Sequence, residues 1–256
     1  MDIKKVLVAG ASGYLARFVI ERLRAEYELT LFDRVKPREA VGDVPFVLGD
    51  IAVYEDVEAA CVGQDAVVHL VALVRGREDK PTSLFADVMV KGTWHIAEAC
   101  IRHGVRRLVN VSSIIANGFQ VAPGRAIHVE DPPQFAENDL FYCLAKKLGE
   151  QVGDAYHQAH GLSVIHLRPG VIADDGVNPP SPRLPAEPVS YWCNYVDPRD
   201  VAQAVERALR TDLAHGTFNI VAGRSDSLFD WMTARDQLGY RPQHNWPEIP
   251  LQGVPR

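Results

Sequence analysis

Val6-Leu7-Val8-Ala9-Gly10-Ala11-Ser12-Gly13-Tyr14-Leu15-Ala16, close to the start of this 256-residue chain, decides its fold. Four consecutive apolar residues predict a strand buried on both faces. The glycines predict a tight turn, after which Leu15, Phe18, Val19 and Leu23 recur at helical spacing. A strand that turns through Gly10-x-x-Gly13-x-x-Ala16 into a helix gathers backbone N–H groups and the positive end of a helix dipole at one point. A pyrophosphate fits there, and Ala16 is small enough for helix and strand to pack closely. No Lys-Ser or Lys-Thr follows the glycines, so this is not the phosphate loop of a nucleotide hydrolase. The candidate groove residues at this turn are Gly10, Ser12, Gly13, Tyr14 and Leu15.

The same alternation continues outward. Apolar runs at Glu28–Asp33, Phe46–Leu48, Ala66–Val71, Leu108–Val111 and Ser163–Leu167 predict strands. Helical patterns at about Val53–Cys61, Ser83–His103 and Asn138–Ala159 separate the later strands. Continuous apolar strands joined by helices imply a parallel sheet covered on both faces, doubly wound by right-handed crossovers. Between Asp174 and Pro198 six prolines forbid long helices. A helix is expected again at about Arg199–Arg210 and a short strand at Thr217–Val221. The expected division is a dinucleotide-binding domain over residues 1–170 and a small substrate-binding cap over 171–256, interleaved with it at a soft boundary.

Asp33 ends the second strand, twenty residues after Gly13. A carboxylate there accepts hydrogen bonds from ribose hydroxyls and repels a 2′-phosphate, which favours NAD over NADP. Asp50, with Ile51, closes the third strand where it meets an adenine amine. Tyr142 and Lys146 lie four apart on a predicted helix and share a face. A phenol with an ordinary pKa near 10 is a poor base. A neighbouring ammonium favours the phenolate and brings it toward working pH. Ser113 follows the fifth strand at the carboxyl edge, where ligands bind in such sheets, and its hydroxyl can hold a substrate oxygen.

Composition narrows the alternatives. The balance of 27 basic against 33 acidic residues, a net charge of -6, provides no attraction for nucleic acid or an anionic membrane. The four cysteines form no C-x-x-C pair, which argues for a reducing compartment. With no room for a signal peptide before the first strand, a cytoplasmic protein is expected. His95, His103, His128 and the other histidines show no ligand spacing beside a carboxylate, so no metal is expected.

With these residues in place, the chain resembles an extended short-chain dehydrogenase/reductase of the NAD-dependent epimerase/dehydratase group, over about residues 3 to 210. The matching pieces are Gly10-x-x-Gly13-x-x-Ala16, Asp33, Asp50-Ile51, His69-Leu70-Val71-Ala72, Lys91-Gly92-Thr93, Val111-Ser112-Ser113, Tyr142-x-x-x-Lys146 and Leu167-Arg168-Pro169-Gly170. The resemblance implies a Rossmann-type fold and makes Ser113, Tyr142 and Lys146 the catalytic set. It has Lys146 also hold the nicotinamide ribose, Val71 and Ala72 line the groove, and Pro169 to Val171 pass beside the nicotinamide. It implies a homodimer built on the helices Ser83–His103 and Asn138–Ala159. Met89 stands where the family often has Asn, which departs from an asparagine-supported proton relay. The short segment after Gly170 and the ending Gln237-Leu238-Gly239-Tyr240-Arg241-Pro242 resemble uronate dehydrogenases, and so imply a small sugar-like substrate. Arg75, Arg77 and Arg183 are candidates for a substrate carboxylate, and Trp192 and Tyr195 for stacking on a ring. The competing readings are an epimerase or dehydratase that recycles NAD and a non-catalytic NAD-binding sensor.

Overall fold

A computed structural model describes residues 2–37, 42–73, 81–118, 125–135, 137, 139–172, 194–223 and 227–244. The opening stretch forms strand β1 (Lys5–Ala9) and helix α1 (Tyr14–Leu23). Then follow β2 (Glu28–Asp33), β3 (Phe46–Leu48), α2 (Tyr54–Cys61) and β4 (Ala66–His69). A helical stretch runs as α3 (Thr82–Phe85), a π-helical segment (Ala86–Lys91) and α4 (Gly92–His103). The strand β5 (Arg107–Val111) leads through a 3-10 turn (Ile114–Asn117) to α5 (Leu140–His160) and β6 (Ser163–Pro169). The short strands β7 (Val171–Ile172) and β8 (Tyr195–Val196), helix α6 (Pro198–Arg210) and β9 (His215–Ile220) complete the order.

The main sheet has seven parallel strands in the order β3-β2-β1-β4-β5-β6-β9. Side chains alternate across it and feed two cores. Val6, Val8, Val68, Val109, Ile165 and Phe218 meet α1 and α6 on one face. Leu7, Ala9, Val67, Leu108 and Val164 meet α2, α4 and α5 on the other. The sheet is therefore doubly wound, as the pattern predicts. Its order reverses between β1 and β4, the kind of switch point at whose carboxyl edge ligands bind in such sheets.

Two features differ from the sequence reading. The expected helix Ser83–His103 contains the π segment, in which one turn is widened and the hydrogen-bond ladder slips by one residue. The strand expected at Thr217–Val221 begins at His215 and pairs with β6 over its whole length, from Val164↔His215 to Pro169↔Ile220. Chain beyond Gly170 thus supplies an edge strand of the main sheet, and α6 packs on α1 beside it. Pairing with β6 satisfies the backbone groups of β9 and lets Phe218 and Ile220 join the core.

Arg107 ties these parts together. Its guanidinium is fully buried and donates to the carbonyl oxygens of Ala208, Leu209, Thr211 and Leu213 and to Ser163 Oγ. It serves as the cap for the orphan carbonyls at the end of α6.

Candidate active site

The glycine turn is built as its sequence requires. Gly10 has φ of +89°, and a Cβ there would lie 2.9 Å from the Val71 backbone nitrogen. Only glycine lets the turn after β1 sit this close to the end of β4. Gly10 and Ala11 N–H donate to Phe32 O, and Ser12 N–H donates to Asp33 Oδ2 at 2.9 Å. Asp33 is therefore fixed against the turn that precedes α1. No side chain caps the start of α1, whose N-cap is Gly13. Backbone donors at a helix start, with a strand-end carboxylate alongside, suit a dinucleotide's pyrophosphate and ribose. The donor set of this chain fits that group.

The other cofactor candidates gather along the same edge. The Asp50 carboxylate accepts from Ala52 N–H at 2.9 Å, and Ile51 packs against Gly92 at the start of α4. Ala72 belongs to a cluster with Tyr142, Phe85, Met89 and Ile115. Pro169 ends β6, and Val171 pairs with Tyr195 in the small second sheet. Arg75, Arg77, Arg183 and Trp192 lie outside the described residues.

Helix α5 carries the candidate pair Tyr142 and Lys146. Tyr142, Cys143, Ala145, Lys146, Gly149, Glu150 and Gly153 form its buried face at helical spacing. Gly153 allows close contact with β6, since a Cβ there would meet His166 Cε1 at 2.7 Å. The 3-10 turn that follows Ser113 packs against the same helix. Ser113 is the N-cap of that turn, its Oγ accepting from Ile115 N–H at 3.4 Å. Lys146 Nζ donates to Val111 O at 2.8 Å, two residues before Ser113. Lysine, tyrosine cluster and strand end thus converge at one place.

Beneath Lys146 lies a row of buried polar side chains. Register pairs His69 of β4 with Asn110 of β5, and Asn110 with His166 of β6, so the three sit side by side on the α5 face. His69, Asn110, Thr93, Met89 and Lys146 line an internal cavity of about 10 Å³, room for one water. Thr93 Oγ1 donates to Met89 O at 2.6 Å, so His69 Nε2–H donates to Thr93 Oγ1, 3.0 Å away. That assignment leaves His69 Nδ1 an acceptor with no protein partner among the described residues. Burial, with the Lys146 charge next, holds His69 at a pKa of about 3, so it is a neutral imidazole. Burial also lowers Lys146 from 10.5 to about 8, with Glu150 pulling the other way. Glu150 forms a bidentate pair with Arg168 at 2.8 and 2.7 Å, both side chains almost wholly buried. Despite its burial, that pairing keeps the Glu150 pKa low and its charge fixed near the lysine.

Sequence reasoning missed Asn110 and Glu150. For Glu150 a signal was present: it lies four residues after Lys146, one helical turn along the same face. For Asn110 there was none, because only strand register places it beside His69.

Comparison with known proteins agrees with this geometry. The model of the NAD dependent epimerase/dehydratase family matches residues 6–221. An L-arabinose 1-dehydrogenase (NAD(P)(+)) from Haloferax volcanii is 26% identical over 94% of this chain and 97% of its own length. A uronate dehydrogenase from Pseudomonas syringae pv. tomato is 29% identical over 93% of this chain and 82% of its own. The crystal structure of uronate dehydrogenase from Agrobacterium tumefaciens superimposes with a TM-score of 0.79 at 24% identity, covering 95% of this chain and 85% of that one.

Proposed function

The chain belongs to the NAD dependent epimerase/dehydratase family, and from that membership we propose that it is an NAD-dependent oxidoreductase acting on a small, sugar-like hydroxylated substrate. The observation that supports this most is Lys146: buried, held against Val111 O beside the strand-end serine, and one turn from Tyr142 on α5. The nicotinamide, when bound, supplies the hydride acceptor. Ser113 orients the substrate oxygen, and Tyr142 takes the hydroxyl proton as the C–H bond breaks. Lys146 favours the phenolate by charge, and it reaches the nicotinamide ribose from the same position. Gly10 to Leu15 hold the pyrophosphate, Asp33 the adenosine ribose, and Asp50 and Ile51 the adenine side. Val71, Ala72, Pro169 and Val171 line the groove. The neutral His69 is a packed and partly orphaned neighbour of Lys146, not a base.

A uronic acid or an aldose is the favoured substrate class, supported by the named activities of the two relatives above. The chain after Gly170 contributes to the substrate side, and Arg75, Arg183 and Trp192 are its candidate contacts. We place a homodimer on α4 and α5, where Trp94, Ile101, Phe141 and Leu148 leave large apolar surface exposed. Buried Cys61, Cys100 and Cys143, none of them in a disulfide among the described residues, accord with a reducing, cytoplasmic setting. Among the described residues no helix is long and apolar enough to cross a membrane.

The test is NADH appearance with NAD and a panel of uronic acids and aldoses, for the parent and Tyr142→Phe. Turnover in the parent, its loss in the variant, and nearly unchanged NAD affinity by calorimetry are expected. Equal turnover in Tyr142→Phe refutes the assignment. Retained NAD with epimerised sugar and no net NADH would identify a recycling epimerase instead.

A further inference from the structure

At the β9 edge of the sheet, outside the cofactor groove, three metal-ligating side chains converge. Asp154 of α5, His166 of β6 and His215 of β9 direct their donor atoms to one point, all within 4.8 Å of one another. His166 Nε2 lies 3.2 Å and His215 Nε2 2.7 Å from the same oxygen, Asp154 Oδ1. We propose that Asp154, His166 and His215 form a site for a divalent first-row transition ion of the zinc class.

The donor chemistry suits that class. Two imidazoles, borderline nitrogen donors, beside one hard carboxylate favour zinc, cobalt or nickel over magnesium or calcium. Bonds of about 2.0–2.2 Å need donors some 3.3 Å apart; the His166–Asp154 separation of 3.2 Å already fits, and the His215–Asp154 separation of 2.7 Å must open slightly around an ion. His166 is fully buried and supplies a fixed ligand, whereas Asp154 and His215 are more than one-third exposed and can adjust. The same exposure admits water to a fourth position.

The surroundings support the ligands. Asn110 Nδ2 lies 3.0 Å from His166 Nδ1 and fixes that ring; turning the amide over lets its oxygen accept from Nδ1–H when Nε2 binds metal. His157 stacks on His215 at 4.6 Å with the rings 15° apart, which holds the His215 ring in its present plane. A structural carboxylate–imidazole pair at Asp154 and His166 needs no third donor. His215 adds one from a different strand. The three ligands come from α5, β6 and β9, too far apart in sequence to show any ligand spacing. Asp154 lies eight residues beyond Lys146, about 12 Å along α5, so an ion here clamps the helix to the sheet without touching the catalytic end.

The full chain, stripped with chelator and dialysed, is titrated with ZnCl2 by calorimetry and with CoCl2 by visible absorption, and its melting temperature is followed with and without Zn2+. Expected are one equivalent of Zn2+ bound, cobalt d–d bands of a four- or five-coordinate N/O site, and a higher melting temperature. His215→Ala, at a half-exposed position, should melt like the parent without metal, lose at least about tenfold in affinity and lose the cobalt bands. Asp154→Asn should do likewise. A parent that binds no Zn2+, or variants that bind it as tightly as the parent, would overturn the proposal. NAD-linked turnover reads the other site and is expected to persist in His215→Ala.

Discussion

Replacing Lys146 with methionine should abolish turnover yet leave the cofactor-free fold at least as stable as the parent. Lys146 is buried, and its pKa falls from 10.5 to about 8, chiefly through burial. A lysine with a folded pKa below its unfolded one binds its proton less tightly in the fold, so the protonated form opposes folding. The gap corresponds to about 3 kcal/mol, in full force below pH 8 and gone above the unfolded value. Methionine removes that penalty but leaves Val111 O without its donor, a loss of about 1–3 kcal/mol. The net is a variant up to about 2 kcal/mol more stable at pH 7. From pH 8 to pH 9.5 the parent should regain roughly 1–2 kcal/mol relative to the variant. Urea unfolding of both proteins without NAD, at pH 7, 8 and 9.5, measures each quantity. If Lys146 holds the cofactor as proposed, saturating NAD should stabilise the parent more than the variant. A variant 2 kcal/mol less stable than the parent at pH 7, with no pH dependence in the difference, would refute the reasoning.

Gly10→Ala forces a side chain into a positive-φ turn and within 2.9 Å of the Val71 nitrogen. A stability loss of about 1–3 kcal/mol and weaker NAD binding by calorimetry are expected; unchanged values for both would contradict the close approach of β1 and β4. Arg107→Met strips four carbonyl oxygens and Ser163 of their buried donor. Chemical denaturation should show a loss of about 3 kcal/mol or more, and a loss below 1 kcal/mol would mean that water replaces the guanidinium. Trp94→Glu places a charge on the exposed apolar surface of α4. Light scattering should shift from dimer to monomer; an unchanged dimer would move the interface elsewhere.

Much of the fold was legible because its signals are local. Val6 to Ala16 encodes strand, turn and helix within one short span, and Tyr142 and Lys146 meet by helical spacing alone. Asp33 was singled out as the carboxylate that ends β2, and it lies hydrogen-bonded to Ser12 N–H of the glycine turn. What escaped depends on relations across the sheet. Thr217 to Val221 reads as a strand, but nothing in its residues says that β6 is its neighbour. Residues 86–91 carry an ordinary helical pattern, which does not reveal their π geometry. The same holds for the lysine itself. Tyr-x-x-x-Lys spacing predicts a shared face; it says nothing about how far the ammonium is desolvated. That depends on His69 and Asn110, brought under α5 by register, and on Glu150, fixed by Arg168 from β6. The acidity of the proposed catalytic lysine is thus a property of three strands and a helix, and so the same short motif can be reactive in one chain and inert in another.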